Sequence, residues 1–262
     1  MERNGEIIVV KIGSSSVSDN EYGLRKPVFR SVAWQISELY RTGKQVVLVS
    51  SGAVAAGRKK LERGSMNGDL IDKQEAAIYG QGPLMRAWED AFEEFGIIAG
   101  QVLLTGHDLE NSKRPLLKAL KHGVPVVNAN DPVNVDELIG YETARDNDRM
   151  AGWVVRTLGA SKLIIQTDVD GVKDGEGKVI EEISSFNDLR RIKLRASSVL
   201  GTGGMRSKIK VSLHAVRRGC DAWIINASDP QGIIKAVGSE RIGTFFPVSP
   251  SFKEREGGVK IN

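Results

Sequence analysis

The stretch IIVVKIGSSS (7–16) decides how the rest of the chain reads. Its six apolar-rich residues describe a strand buried on both faces, and the glycine and serines that follow describe a turn. Lys11 stands inside that strand, where an ammonium is costly unless a counter-charge reaches it. A second run, QVVLVS (45–50), also ends in a Gly-Ser turn. Between the two, PVFRSVAWQISELYRTG (27–43) has apolar residues at helical spacing and a glycine stop. The alternation continues. IIAGQVLL (97–104), VPVVNA (124–129), KLIIQT (162–167) and AWIINA (222–227) supply four more strands, and QEAAIYGQGPLMRAWEDAFEEFG (74–96) a helix with a break or kink expected at Gly82-Pro83. DVDGVKDGEGKVI (168–180) carries the turn signals of a small β-hairpin. The expectation is a single α/β domain over residues 1–262, with a mainly parallel sheet covered on both faces and a loose tail over 247–262.

Composition narrows the class. The 262 residues carry 37 Lys+Arg against 33 Asp+Glu, a formal charge of +4. No run of about twenty apolar residues exists, so no membrane partner is expected. The start, MERNGEIIVVKIG, has no signal-peptide cleavage pattern. Cys220 alone cannot form an internal disulfide, and no Cys/His cluster could hold zinc. A reducing, cytoplasmic setting fits best. Residues 190–218 hold nine lysines and arginines and no acid, yet no Phe, Tyr or Trp on which a base could stack. That argues against nucleic acid and leaves a solvated helix face or a site for a small polyanion.

In open α/β sheets ligands bind beyond the carboxyl ends of the strands, so the turns are where chemistry should be sought. Gly13 and Ser14 can offer N–H groups and a hydroxyl to phosphate, and Ser51-Gly52-Ala53 opens a helix whose positive end suits an anion. Thr202-Gly203-Gly204-Met205-Arg206-Ser207-Lys208 is a Gly-rich loop feeding a helix with two cations in its first turn. Asn128, Asn130 and Asp131, with Asp146-Asn147-Asp148 close behind, could hold Mg²⁺, orient lysines or grip a substrate ammonium. Thr167-Asp168 could read a ribose or base edge. No Walker-type P-loop occurs, and His107, His122 and His214 are scattered, so no base is at hand. Lysines, N–H-rich turns and carboxylates without a base suit phosphoryl transfer, where positioning and charge neutralisation do most of the catalysis. A carboxylate acceptor needs no base, because its pKa near 4 leaves it ionised at neutral pH.

Taken in order, VVKIGSSSV, SSGAVAAG, GQVLLT, VPVVNANDPV, DNDRMAG, TDVDGV and GTGGMRSKI resemble the amino acid kinase family over residues 7–246, and within it the glutamate 5-kinases. The resemblance implies an αβα sandwich with an open, mainly parallel eight-stranded sheet. It implies an enzyme using ATP and Mg²⁺ to phosphorylate the side-chain carboxylate of glutamate, the first step of proline biosynthesis. Lys11 and Lys208 would bind and neutralise the transferred group, with Asp148 organising them. Ser51, Gly52, Ala53, Asp131 and Asn147 would hold the amino acid. Lys11, Gly13, Ser14, Thr167, Asp168 and the loop from Thr202 to Lys208 would bind ATP. A homodimer or homotetramer is implied, without the C-terminal PUA module that many relatives carry.

Three departures fall on the amino-acid side. The family's Asn-Glu-Asn-Asp run is Asn128-Ala129-Asn130-Asp131 here, the segment between Asp108 and Val124 is short, and the loop from Pro132 to Arg145 is unusual. They motivate one alternative, a kinase acting on another carboxylate or glutamate analogue; a non-catalytic nucleotide- or amino-acid-binding regulator is the second, against which the complete set of lysines and aspartate argues. The departures also suggest weak feedback by proline.

Overall fold

Strand β1 (Ile7–Ile12) lies mid-sheet between β4 (Gln45–Ser50) and β7 (Lys162–Thr167), parallel to both. Beyond β4 come β6 (Val124–Ala129) and then β5 (Ala99–Leu104). Beyond β7 come β8 (Asp221–Asn226) and β9 (Thr244–Phe246), the last running antiparallel. The computed structural model describes residues 5–19, 23–61, 70–133, 147–190, 192 and 204–252. Among these the main sheet has seven strands, in the order β5-β6-β4-β1-β7-β8-β9, and β2 (Ser18–Asp19) pairs with β3 (Gly23–Leu24) apart from it. The expected open, mainly parallel α/β sheet is present.

Side chains alternate across β1, and this decides where Lys11 emerges. Ile8, Val10 and Ile12 enter a core shared with α2 (Lys26–Arg41), α4 (Leu70–Glu93) and α9 (Gly232–Val237), whose Phe29, Ile36, Trp88, Phe92 and Ile233 are fully or almost fully buried. Val9 faces the opposite core, built with α5 (Leu109–Ala119), α6 (Asn147–Leu158) and α8 (Met205–Val216) through Leu116, Met150, Val154 and Ile209. Lys11, two residues on, shares that second face. The chain passes from β1 to β4 on one side and from β7 to β8 on the other, so connections diverge between β1 and β7. A crevice forms at such a point.

The smaller helices are α1 (Ser14–Val17), α3 (Ala53–Lys60) and α7 (Phe186–Leu189). Helix α3 packs on α4 at backbone distance. A Cβ on Gly57 would lie 1.7 Å from the carbonyl oxygen of Ala76, and one on Gly80 would lie 1.8 Å from that of Ala53.

Two expectations are corrected. The break at Gly82-Pro83 does not occur: α4 runs from Leu70 to Glu93 with Pro83 inside it. Proline forfeits one bond to the carbonyl four residues back, that of Tyr79, and the exposure of Tyr79 lets water take that place. Residues 247–252 are not loose. Phe252 is buried and meets Phe186 edge-on, ring centroids 5.3 Å apart. The rest of the expected tail, 253–262, lies outside the described residues. The small hairpin is present, with Lys173 bridged to Val179. No helix of the described residues is long and apolar enough to cross a membrane.

Candidate active site

Three elements converge on one carboxylate. Lys11 comes from β1, Asp148 is the second residue of α6, and Lys208 lies in the first turns of α8. Lys11 Nζ is 2.5 Å from Asp148 Oδ1, and Lys208 Nζ is 3.1 Å from Oδ2. The three side chains are 5%, 0% and 8% exposed. Asp148 also sits in the first turn of α6, at the positive end of the helix dipole. Two ammonium groups thus face one carboxylate with little water. Buried charge is tolerated when it is paired, and two cations gathered on one carboxylate are an arrangement to which an anion can be drawn. The N-terminus of α8, with Gly204 as its cap and no side chain bonded to its first amides, adds N–H groups beside Lys208.

A neutral network lies next to this centre. Asn147 Nδ2 donates to Ser51 Oγ and to Asn128 Oδ1, both at 3.0 Å, and Asn128 Nδ2 donates to Gln81 Oε1 at 2.8 Å. Asn147 Oδ1 is buried and, among the described residues, accepts no hydrogen bond. Ser51 precedes Gly52, whose φ of 120° belongs to glycine and whose absent side chain leaves room for Val17. The uncapped N-terminus of α3 follows. Underneath, Trp88 Nε1 donates to Ser50 Oγ at 2.8 Å. A cavity of about 310 Å³ opens over this network, bounded by Ser14, Ser51, Ala53, Asp131 and Asn147 among others. A larger, mainly apolar groove of about 1110 Å³ between α2 and α4 shares no residue with it.

The sequence-derived residues are distributed as follows. Lys11, Asp148 and Lys208 form the charged centre, while Ser51, Gly52, Ala53, Asp131, Asn147 and Ser14 border the cavity. Gly13 caps α1, and a Cβ there would stand 3.6 Å from Lys11 Nζ. Thr167 ends β7 with its hydroxyl 3.1 Å from Asp168 Oδ1, on the strand beside β1. Gly204, Met205, Arg206 and Ser207 begin α8, with Arg206 exposed. Thr202, Gly203 and Asp146 lie outside the described residues. Gln81, Arg58 and Lys73 are site residues outside the sequence motifs. Arg58 follows Val54 and Ala55 at helical spacing, a signal available in the sequence, whereas nothing local marks Gln81 or Lys73. The three histidines are exposed and apart, and burial pushes the Cys220 thiol up to about 12, so neither type offers a base or nucleophile here.

Comparison with known proteins supplies the family. The model of the amino acid kinase family matches residues 6–226. The glutamate 5-kinase of Geobacter sulfurreducens is 36% identical over 95% of this chain and 70% of its own length. That of Rhodococcus jostii is 38% identical over 93% and 68%, and that of Methanococcoides burtonii 34% identical over the same shares. Among solved structures, Giardia carbamate kinase superposes with a TM-score of 0.67 at 16% identity, covering 93% of this chain and 99% of its own, a likeness of fold. With two buried lysines on one aspartate at the centre of the sheet and its model matched across most of the length, the chain belongs to the amino acid kinase family.

Proposed function

We propose that this protein is an ATP-dependent kinase that transfers the γ-phosphoryl group to the side-chain carboxylate of glutamate, giving γ-glutamyl phosphate. The observation that carries the reading is the Lys11–Asp148–Lys208 centre, two buried cations sharing one carboxylate. Its two cations suit a phosphoryl group in transfer, whose equatorial oxygens carry the charge in the transition state. Asp148 holds both ammonium groups in place, so little reorganisation is needed when the phosphoryl group arrives. The acceptor carboxylate attacks as the anion, which is why no base is required.

The neutral side holds the acceptor. Asn147 Oδ1 and Asp131 suit its ammonium group, and Ser51 with the amides of α3 suits its oxygens. The loop leading into α8, with Thr167 and Asp168, takes the nucleotide. The family also implies Mg²⁺. Among the described residues no group of three acidic, His or Cys side chains gathers to hold an ion, and Asp148 is engaged by the lysines. The fit is therefore to an ion carried on the nucleotide phosphates, where it would screen their charge.

The second reading is a different acid as acceptor, and its main sequence motive is a residue set apart from the cavity. Ala129, in place of the glutamate expected by resemblance, is 1% exposed within an apolar cluster and does not line the cavity. A screen of kcat/KM by ADP release, with glutamate and related amino and keto acids, tests both readings. Glutamate among the best few substrates supports the proposal, a large preference for another acid transfers it to that acid, and no turnover with any acid refutes it.

A further inference from the structure

Two cations at the acceptor cavity have no role in the account so far. Arg58 sits in the last turn of α3 and Lys73 in the first turn of α4, and both border the cavity that Asn147 and Ser51 share. Their placement follows from the backbone contact of the two helices. Gly57 is pressed against Ala76, so Arg58, one residue after Gly57, and Lys73, one turn before Ala76, project from either side of the crossing. A C-terminal arginine or lysine can be explained by the helix dipole, and Lys59 and Lys60 are exposed as that explanation expects. Arg58 is not. It is half-buried, with its Nε shielded from solvent and without a hydrogen-bond partner. Neither Arg58 nor Lys73 makes an ion pair among the described residues, although a buried guanidinium nitrogen left unbonded is costly.

Distance completes the argument. Arg58 is five residues beyond Ala53, about 7–8 Å along the helix from the end that touches Asn147. One region of the cavity therefore adjoins the phosphoryl-transfer centre through Asn147 and Asp148, and another carries two cations lacking an anion. Between them stand the buried acceptor Asn147 Oδ1 and the carboxylate of Asp131. An acid with one carboxylate at the lysines would leave the cations unpaired. An amino acid with two carboxylates would place one at the lysines and the other at Arg58 and Lys73.

We propose that Arg58 and Lys73 form the seat of the acceptor's second, non-reacting carboxylate, and that this seat restricts the enzyme to amino dicarboxylates. The inference rests on the carboxylate-kinase reading above. A planar guanidinium suits a carboxylate through paired hydrogen bonds, and the lysine adds charge. The acceptor is then held at both ends, which sets which carboxylate is phosphorylated.

The experiment compares L-glutamate with its α-amide, which keeps the reacting carboxylate and the ammonium but lacks the second anion. Turnover and calorimetric binding are measured for the native protein, Arg58→Gln, Lys73→Gln and the conservative Arg58→Lys. The native enzyme is expected to prefer glutamate by roughly 10- to 100-fold in kcat/KM, the scale of a hydrogen bond to a charged group. In Arg58→Gln and Lys73→Gln that preference should shrink toward unity through acceptor KM, with KM for ATP unchanged, and Arg58→Lys should recover part of it. Lys73→Gln keeps the test valid if Arg58→Gln does not fold. Equal use of glutamate and its α-amide by the native enzyme, or an undiminished preference in both glutamine variants, overturns the seat and leaves the kinase reading standing. If the native protein neither binds nor phosphorylates either compound, both fall.

Discussion

The two halves of the site hold their partners by different physics. On the phosphoryl side, Lys11, Asp148 and Lys208 are charged and almost inaccessible, and they are joined by ion pairs between a strand and two helices. On the acceptor side, Ser51, Asn147, Asn128 and Gln81 are neutral and linked by hydrogen bonds of ordinary length, and the charged Asp131, Arg58 and Lys73 border the cavity above them. Ion pairs out of water are strong and unforgiving, since removing one member strands a charge. Neutral hydrogen bonds contribute only about 0.5–1.5 kcal/mol each, and a network of them can be re-drawn. A fixed chemistry beside an adjustable acceptor is what the proposed roles of the two sides imply.

Removing the shared anion should break the comparison most severely. Asp148→Asn removes the carboxylate that both buried ammonium groups face, and should destabilise the free protein by about 3–5 kcal/mol in denaturant unfolding. Polyphosphate should return part of that loss. Removing a lysine is different, because the remaining pair is balanced. Lys11→Ala and Lys208→Ala should melt close to the native protein yet turn over roughly 10²- to 10³-fold more slowly, as expected when a preorganised charge is lost. Near-normal kcat in both would take them out of the chemistry.

Changes under the acceptor side should be milder and should spare the chemistry. Gly57→Ala pushes a methyl group into the Ala76 carbonyl, so α3 and α4 must separate. The expected cost is about 1–3 kcal/mol, with a raised acceptor KM and an unchanged KM for ATP. Trp88→Phe removes the bond to Ser50 Oγ and should cost about 1 kcal/mol in stability with kcat retained. The smallest effect is a null. Cys220 is buried with its thiol pushed up to about 12, so iodoacetamide at pH 8 should not label native protein, while unfolding should expose it to reaction. Fast labelling of the native chain would mean that the packing beyond α8, which carries Lys208, is looser than described.

Much of this arrangement is legible in the residues. VPVVNA and KLIIQT are strands over the same residues in sequence and structure, because an unbroken apolar run bounded by turns has few other readings. Lys11 announced itself as a charge inside such a run. Pro83 misled because the local rule against proline in a helix was outweighed by the packing of α4 on α2 and α3, with Trp88 and Phe92 buried beyond it. The acceptor network was only half legible. Asn147 and Ser51 are 96 positions apart, and Gln81 and Lys73 reach the site through the glycine-mediated contact of α3 with α4. That contact is a property of two helices together and leaves no periodic mark on either.

The account's central claim is that one half of the site performs the transfer and the other selects the acceptor. Steady-state kinetics of Lys208→Ala beside Asn147→Ala, with ATP and glutamate each varied, tests it most directly. The account predicts that Lys208→Ala lowers kcat by roughly 10²-fold or more with little change in acceptor KM. It predicts that Asn147→Ala, which loses two hydrogen bonds, raises acceptor KM roughly 10-fold with kcat within a few-fold of native. The same parameter moving in both variants, by similar factors, would contradict the division.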